Sequence, residues 1–94
     1  MIATISAQWV LDNGEEERLP GLDLSPQQLF WVSAGNVWCE KYRPNMLVMQ
    51  IKTGYHSPSE FRVKGPFSNL EEFSRDFQCP LGSPMNPVEK CEVW

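Results

Sequence analysis

Apolar positions recur with helical period in four stretches of this chain, and the breaks between them fall mainly at proline and glycine. In MIATISAQWVL, Ile2, Ile5 and Trp9 stand at helical spacing with Ala3, Ala7 and Val10 beside them, a helix entered without an N-cap. Asp12-Asn13-Gly14 ends it, because Asn or Gly readily takes the left-handed C-cap conformation. The clearest helix start is Ser25-Pro26-Gln27-Gln28. Ser25 caps, Pro26 suits the first helical position, and Gln28 completes a capping box. The LFWVSAGNVWC that follows is apolar on nearly every side, which predicts burial against something on every face. Gly35 within it costs about 1 kcal/mol relative to alanine, so close backbone packing is its expected reason.

Arg43-Pro44 opens a third helix, with Met46, Leu47, Met49 and Ile51 as its apolar positions and an end near Gly54. A loop carrying His56 follows. Glu60-Phe61-Arg62-Val63 alternates as a strand does, placing Phe61 and Val63 on one side and Arg62 and Lys64 on the other, until Gly65-Pro66 stops it. Ser68-Asn69-Leu70-Glu71 repeats the capping-box pattern and predicts a fourth helix with Leu70, Phe73 and Phe77 as its stripe. The remainder, CPLGSPMNPVEKCEVW, holds three prolines and two cysteines and reads as irregular but pinned. The fold class is mainly α, about four helices joined by irregular, proline-rich loops.

Ninety-four residues allow one small domain or a piece of a larger one. With 41% hydrophobic residues, among them four Trp and five Phe, the chain belongs to a packed object rather than a disordered tail. The uncapped first helix, the over-apolar second and an odd cysteine count predict that residues 1–94 form an incomplete domain of a larger body. Net charge is −4, and the eight basic residues form no cluster, which removes the electrostatic footprint of a nucleic-acid binder. No apolar run approaches bilayer length and no signal sequence begins the chain, so as written it has no route out of the cytosol.

The cysteines point the other way. Cys39, Cys79 and Cys91 include no C-x-x-C pair, which argues against a zinc ribbon or finger. Two readings stay open: buried free thiols of a cytosolic protein, or disulfide halves whose partners lie elsewhere. Among catalytic signatures the chain holds no H-E-x-x-H, G-x-S-x-G, P-loop or dinucleotide fingerprint. Cys–His nucleophilic catalysis lacks a third, orienting group. What remains is the single histidine, His56, with Arg62 six positions on. They are either loop residues satisfied by solvent and backbone, or a substrate-recognition pair. In the second case the imidazole donates to a developing oxyanion and the guanidinium grips carbonyl or carboxylate oxygens.

Several motifs, in order, resemble a known family: Leu19-Pro20-Gly21-Leu22, Gln28-Leu29-Phe30, Val37-Trp38-Cys39, Tyr42-Arg43-Pro44, His56-Ser57-Pro58, Phe61-Arg62-Val63, Ser68-Asn69, Met85-Asn86-Pro87 and Cys91-Glu92-Val93-Trp94. Together they resemble the C-terminal end of the neprilysin and endothelin-converting-enzyme family, the zinc metallopeptidases of peptidase family M13. The resemblance runs from about Ala7 onward. It implies the C-terminal part of a thermolysin-like catalytic lobe in a membrane-anchored or secreted ectoenzyme that hydrolyses peptides with a zinc-activated water. Zinc in that family comes from an H-E-x-x-H helix and an E-x-x-x-D helix, both upstream of the matched region, so the resemblance assigns no metal ligand to this chain.

The resemblance gives His56 the role of stabilising the tetrahedral intermediate and Arg62 that of contacting the substrate backbone. It implies that Cys39, Cys79 and Cys91 form three disulfides with the remainder of the catalytic domain, and that the chain alone is inactive. It implies peptide substrates and an extracellular or cell-surface setting. Two positions depart from the family pattern. Thr53-Gly54-Tyr55-His56 stands where T-D-x-H is common, so a carboxylate that orients the imidazole or favours its charged form is missing. Ala34-Gly35-Asn36 replaces the usual aromatic-Ala-Gln. The other functional class the sequence admits is a non-catalytic, truncated relative that binds peptides or pairs with a full-length enzyme.

Overall fold

Ser25 opens the first complete helix of the computed structural model, which describes residues 11–14 and 16–91. Helix α1 spans Pro26–Asn36. The Ser25 hydroxyl accepts from the Gln28 amide at 3.1 Å, and Gln28 Oε1 accepts from the Ser25 amide at 3.0 Å, so the expected capping box is closed on both sides. Helix α2 covers Pro44–Thr53 with Pro at its start and Gly54 as C-cap, as the sequence predicts. Helices α3, Ser59–Ser68, and α4, Glu71–Asp76, complete the set. Of the first predicted helix, residues 1–10 lie outside the described residues. Residues 11–13 are helical, and Gly14 follows at φ +83°, the left-handed C-cap conformation.

The described residues thus form a mainly α chain, with one isolated bridge between Ser83 and Asn86 as their only β pairing. An aromatic cluster joins three of the helices. Trp31 of α1 is 5% exposed, and its ring meets Phe30 and Phe67 at 5.1 Å and Phe73 at 5.5 Å, all edge-on. Phe73 in turn packs on Phe77 at 4.8 Å. Edge-to-face aromatic pairs are each worth about 0.5–1.5 kcal/mol beyond burial of their area. The polar tip of Trp31 is also satisfied: Nε1 donates to Asp76 Oδ2 at 2.8 Å. Gln28 Nε2 donates to the Asp76 carbonyl at 3.0 Å, so one residue at the end of α4 holds α1 twice. The chain after α4 is irregular but pinned. The Lys90 ammonium donates to the Ser68 carbonyl and the Cys91 amide to Asn69 Oδ1, each at 2.8 Å.

Three sequence expectations need correction. The stretch from Glu60 to Val63 is not a strand; it is the first turn and a half of α3. Four alternating residues cannot distinguish period 2 from period 3.6, and here the helical signals prevail. Glu60 lies in the first turn and pairs with Lys64 four residues on, while Pro58 precedes the helix and needs no amide donor of its own. Val63 and Phe67, also four apart, face α1 and the aromatic cluster.

Ser68 does not cap α4 either. It is the last residue of α3, its hydroxyl donates back to the Gly65 carbonyl at 3.0 Å, and α4 starts from Leu70 with no side-chain cap. The apolar helix is shorter than its pattern suggests: α1 ends at Asn36, before Cys39. Of its residues only Trp31 is buried, while Val32, and Val37 just after it, are exposed, in keeping with an all-round apolar helix that 94 residues cannot cover. Gly35 does lie against α3, but a Cβ there would meet Val63 Cγ1 at 3.7 Å, ordinary van der Waals contact, so the packing does not demand glycine.

Helix α4 ends in a Schellman motif. Cys79 N donates to Ser74 O at 2.8 Å and Gln78 N to Arg75 O at 3.1 Å, with Gln78 left-handed at φ +52°. A non-glycine residue there costs roughly 1–2 kcal/mol. Gln78→Gly should therefore raise the Tm of the full-length protein slightly, and a Tm unchanged or lowered in thermal melts would contradict the strain argument.

Candidate functional site

The turn after α2 and the first turns of α3 face the segment that leaves α1, and between them lies an open concavity of about 520 Å³. Trp38, Cys39, Glu40 and Tyr42 line one side; Gln50, His56, Ser57, Ser59 and Arg62 line the other. The two residues singled out from sequence, His56 and Arg62, therefore open onto the same cleft. The helical form of α3 is what arranges this, since Ser59 and Arg62 stand three apart on one face while Val63 and Phe67 take the core side. A strand would have paired Arg62 with Lys64 instead.

Arg62 is half-buried, and its guanidinium carbon sits 3.9 Å from the centroid of the Trp38 ring. Such a cation–π contact contributes about 0.5–1 kcal/mol at an exposed site and fixes the plane of the guanidinium. Among the described residues its N–H groups have no hydrogen-bonded acceptor, so the donors are available to a ligand. The nearby carboxylate does not take them. Glu40 Oε2 instead accepts from the Tyr42 hydroxyl at 2.6 Å and from the Ser59 hydroxyl. The Ser59 bond, then the Tyr42 bond, holds the Glu40 carboxyl below its ordinary range. The same Glu40 contact pushes the Tyr42 phenol up, because ionising it would lose the donated proton. Glu40 is thus kept anionic beside Arg62 without closing onto it.

His56 is exposed, and among the described residues its imidazole makes no hydrogen bond. Its backbone is held: Gln50 Nε2, on the last turns of α2, donates to the His56 carbonyl at 2.9 Å. The following Pro58 and Ser59 are buried, which anchors the other end of the turn. Of the three cysteines only Cys39 lies at this cleft. Cys39 and Cys91 are exposed, Cys79 is half-buried, and no two of them are joined. Among the described residues no three His, Cys, Asp or Glu side chains gather into a group able to hold a metal ion. No described helix is long and apolar enough to cross a membrane.

The family model described as peptidase family M13 matches residues 2–93. The chain belongs to this family. Its members related to this chain include Neprilysin-2 of Drosophila melanogaster, 61% identical over 87 residues, a match that covers 93% of this chain and 11% of that protein. Neprilysin of Homo sapiens is 50% identical over 86 residues, covering 92% of this chain and 12% of the relative. Endothelin-converting enzyme 1 of Cavia porcellus is 54% identical over 86 residues, with 92% and 11% covered. Among solved structures, the Haemonchus galactose containing glycoprotein complex superposes with a TM-score of 0.88 at 38% identity, over 98% of this chain and 16% of that one. The family is one of neprilysin-like metallopeptidases. The chain spans only about a tenth of the length of these curated relatives.

Sequence reasoning reached His56, Arg62 and, through the Val37-Trp38-Cys39 motif, the Trp38 on which Arg62 rests. It missed Gln50, Glu40 and Ser59. The three-residue spacing of Ser59 and Arg62 would have exposed Ser59 had the segment been read as a helix. Nothing local marks Gln50, whose partner is six residues away across a turn.

Proposed function

We propose that this chain is the C-terminal segment of the catalytic domain of a neprilysin-like zinc metalloendopeptidase. In this reading His56 stabilises the tetrahedral intermediate of peptide hydrolysis and Arg62 holds the substrate backbone. The observation that carries it is the shared cleft of His56 and Arg62, with both side chains free of partners that would block a peptide. Membership of the M13 family supports the reaction class. Zinc is held by residues of the remaining catalytic domain and supplies an activated water.

The residues of this chain bind and orient. The Arg62 guanidinium, its plane set by Trp38, presents paired N–H donors to a peptide carbonyl. The His56 imidazole donates a hydrogen bond to the carbonyl oxygen as that oxygen gains negative charge, an interaction stronger in the transition state than in the bound substrate. In this reading Cys39, Cys79 and Cys91 bond to cysteines in the remainder of the catalytic domain. Disulfides of that kind go with an extracellular or cell-surface enzyme acting on peptides. Alone the chain has neither metal nor base and is inactive.

In the full-length peptidase, Arg62→Ala should raise KM for peptides by roughly tenfold, the scale of one lost charge-assisted hydrogen bond. Steady-state kinetics on a peptide substrate give the answer, and an unaltered KM removes Arg62 from substrate binding. A full-length protein that cleaves no peptide under any zinc loading would sink the whole reading.

A further inference from the structure

We infer that Gln50 is a positioning residue for His56, acting through the backbone of the turn that carries it; this rests on the role proposed for His56. The imidazole has no partner of its own among the described residues, so its aim is set by the main chain beneath it. Gln50 holds that main chain at two points. Its carbonyl accepts from the Gly54 amide at 2.9 Å, and its side-chain Nε2 donates to the His56 carbonyl at the same distance. Both groups sit on α2, whose backbone is fixed by its own hydrogen bonds, so the turn is referenced to a rigid element.

Gly54 is the second half of the device. A Cβ added there would lie 2.5 Å from Gln50 Nε2, 2.5 Å from Gln50 O and 2.7 Å from Gln50 Cδ. The Gln50 side chain therefore occupies the volume that any side chain at position 54 would need. The Nε2 collision can be relieved by rotating Gln50 away, at the loss of the bond to His56. The collision with the backbone oxygen cannot, because moving it means moving the end of the helix. Bare backbone at 54 and the long amide at 50 thus form one arrangement, which also accounts for glycine at a position where a carboxylate beside His56 is otherwise expected.

The test uses the full-length peptidase and three variants at position 50 and 54, each alone and combined with His56→Ala. Gln50→Met keeps the shape and removes the donor; it should lower kcat roughly tenfold with KM within about twofold, as expected when a reacting group is slightly misplaced. Gln50→Lys keeps an N–H donor on a chain long enough to reach and should recover most of that loss. Gly54→Ala should be at least as damaging as Gln50→Met. In the His56→Ala background, Gln50→Met should add little, because its effect runs through the missing imidazole.

Full parental kcat in Gln50→Met, no recovery with lysine, or an undiminished Gln50 effect without His56 would each overturn the inference while leaving the role of His56 intact. A His56→Ala enzyme with unchanged kcat would remove that role itself. A Gln50 effect that follows a drop in Tm shared by Met and Lys variants would make it a stability effect and end the proposal.

Discussion

Replacing His56 by alanine in the full-length peptidase should lower kcat by roughly 10²-fold while KM moves little, the signature of one lost oxyanion donor. The asymmetry follows from when the interaction matters. A neutral carbonyl oxygen in bound substrate asks little of an exposed imidazole in water. The tetrahedral oxygen carries nearly a full negative charge inside a cleft from which the peptide has excluded solvent, and there a fixed donor counts for far more. The role proposed for Arg62 has the opposite signature: backbone groups of a substrate do not change charge during the reaction, so loss of a guanidinium that holds them should register in KM. Measuring kcat and KM separately for both variants therefore tests the division of labour as well as each role. Should His56→Ala raise KM and spare kcat, the residue binds substrate and does not stabilise the intermediate.

The second large effect concerns the chain in isolation: the free 94-residue polypeptide should not show a cooperative unfolding transition. Its accessible surface is 8003 Å², whereas a self-contained folded domain of this mass exposes about 5,500 Å². Trp31 is the one buried hydrophobic side chain among the described residues, while Val32, Val37, Met46, Val48, Met49 and Ile51 stand open to solvent. These apolar faces of α1 and α2 lack the partner surface that would make their burial favourable. If the three cysteines normally close disulfides to another part of the enzyme, their loss removes about 2–5 kcal/mol each, against a usual net stability of about 5–15 kcal/mol. Near-ultraviolet circular dichroism during urea or thermal titration should show a shallow, non-sigmoidal change. A sharp transition with all thiols free would mean that the chain is a domain in its own right.

How well the sequence anticipated the molecule depended on how local each feature was. Helices α1 and α2 start where predicted because Ser25, Pro26 and Pro44 act within one turn of themselves, through a capping bond or a fixed φ. The Ser68 capping box failed for an equally local reason that the pattern cannot carry: the residue was already engaged as the end of α3. The strand assigned to Glu60–Val63 failed because four residues satisfy either period. What settled it was the Glu60–Lys64 pair and the packing of Val63 and Phe67, which reach beyond the four residues read. The over-apolar α1 is a helix, as its pattern predicts, and its exposed Val32 agrees with the reading that 94 residues cannot cover all its faces, since composition reports the faces that must be covered and not what covers them.

The sequence by itself determined the helical class, the capping box of α1, the proline starts of α1 and α2 and the family, and it singled out His56 and Arg62 as candidates, because each of these is carried by a short stretch of the chain. Only the tertiary structure decided that His56 and Arg62 share a cleft, that Trp38 sets the guanidinium and Glu40 leaves it free, and that Gln50 fills the space over Gly54 to hold the histidine turn. Those relations join residues four to twenty-four positions apart across turns. Their energies come from distance and orientation in three dimensions, which no spacing along the chain encodes.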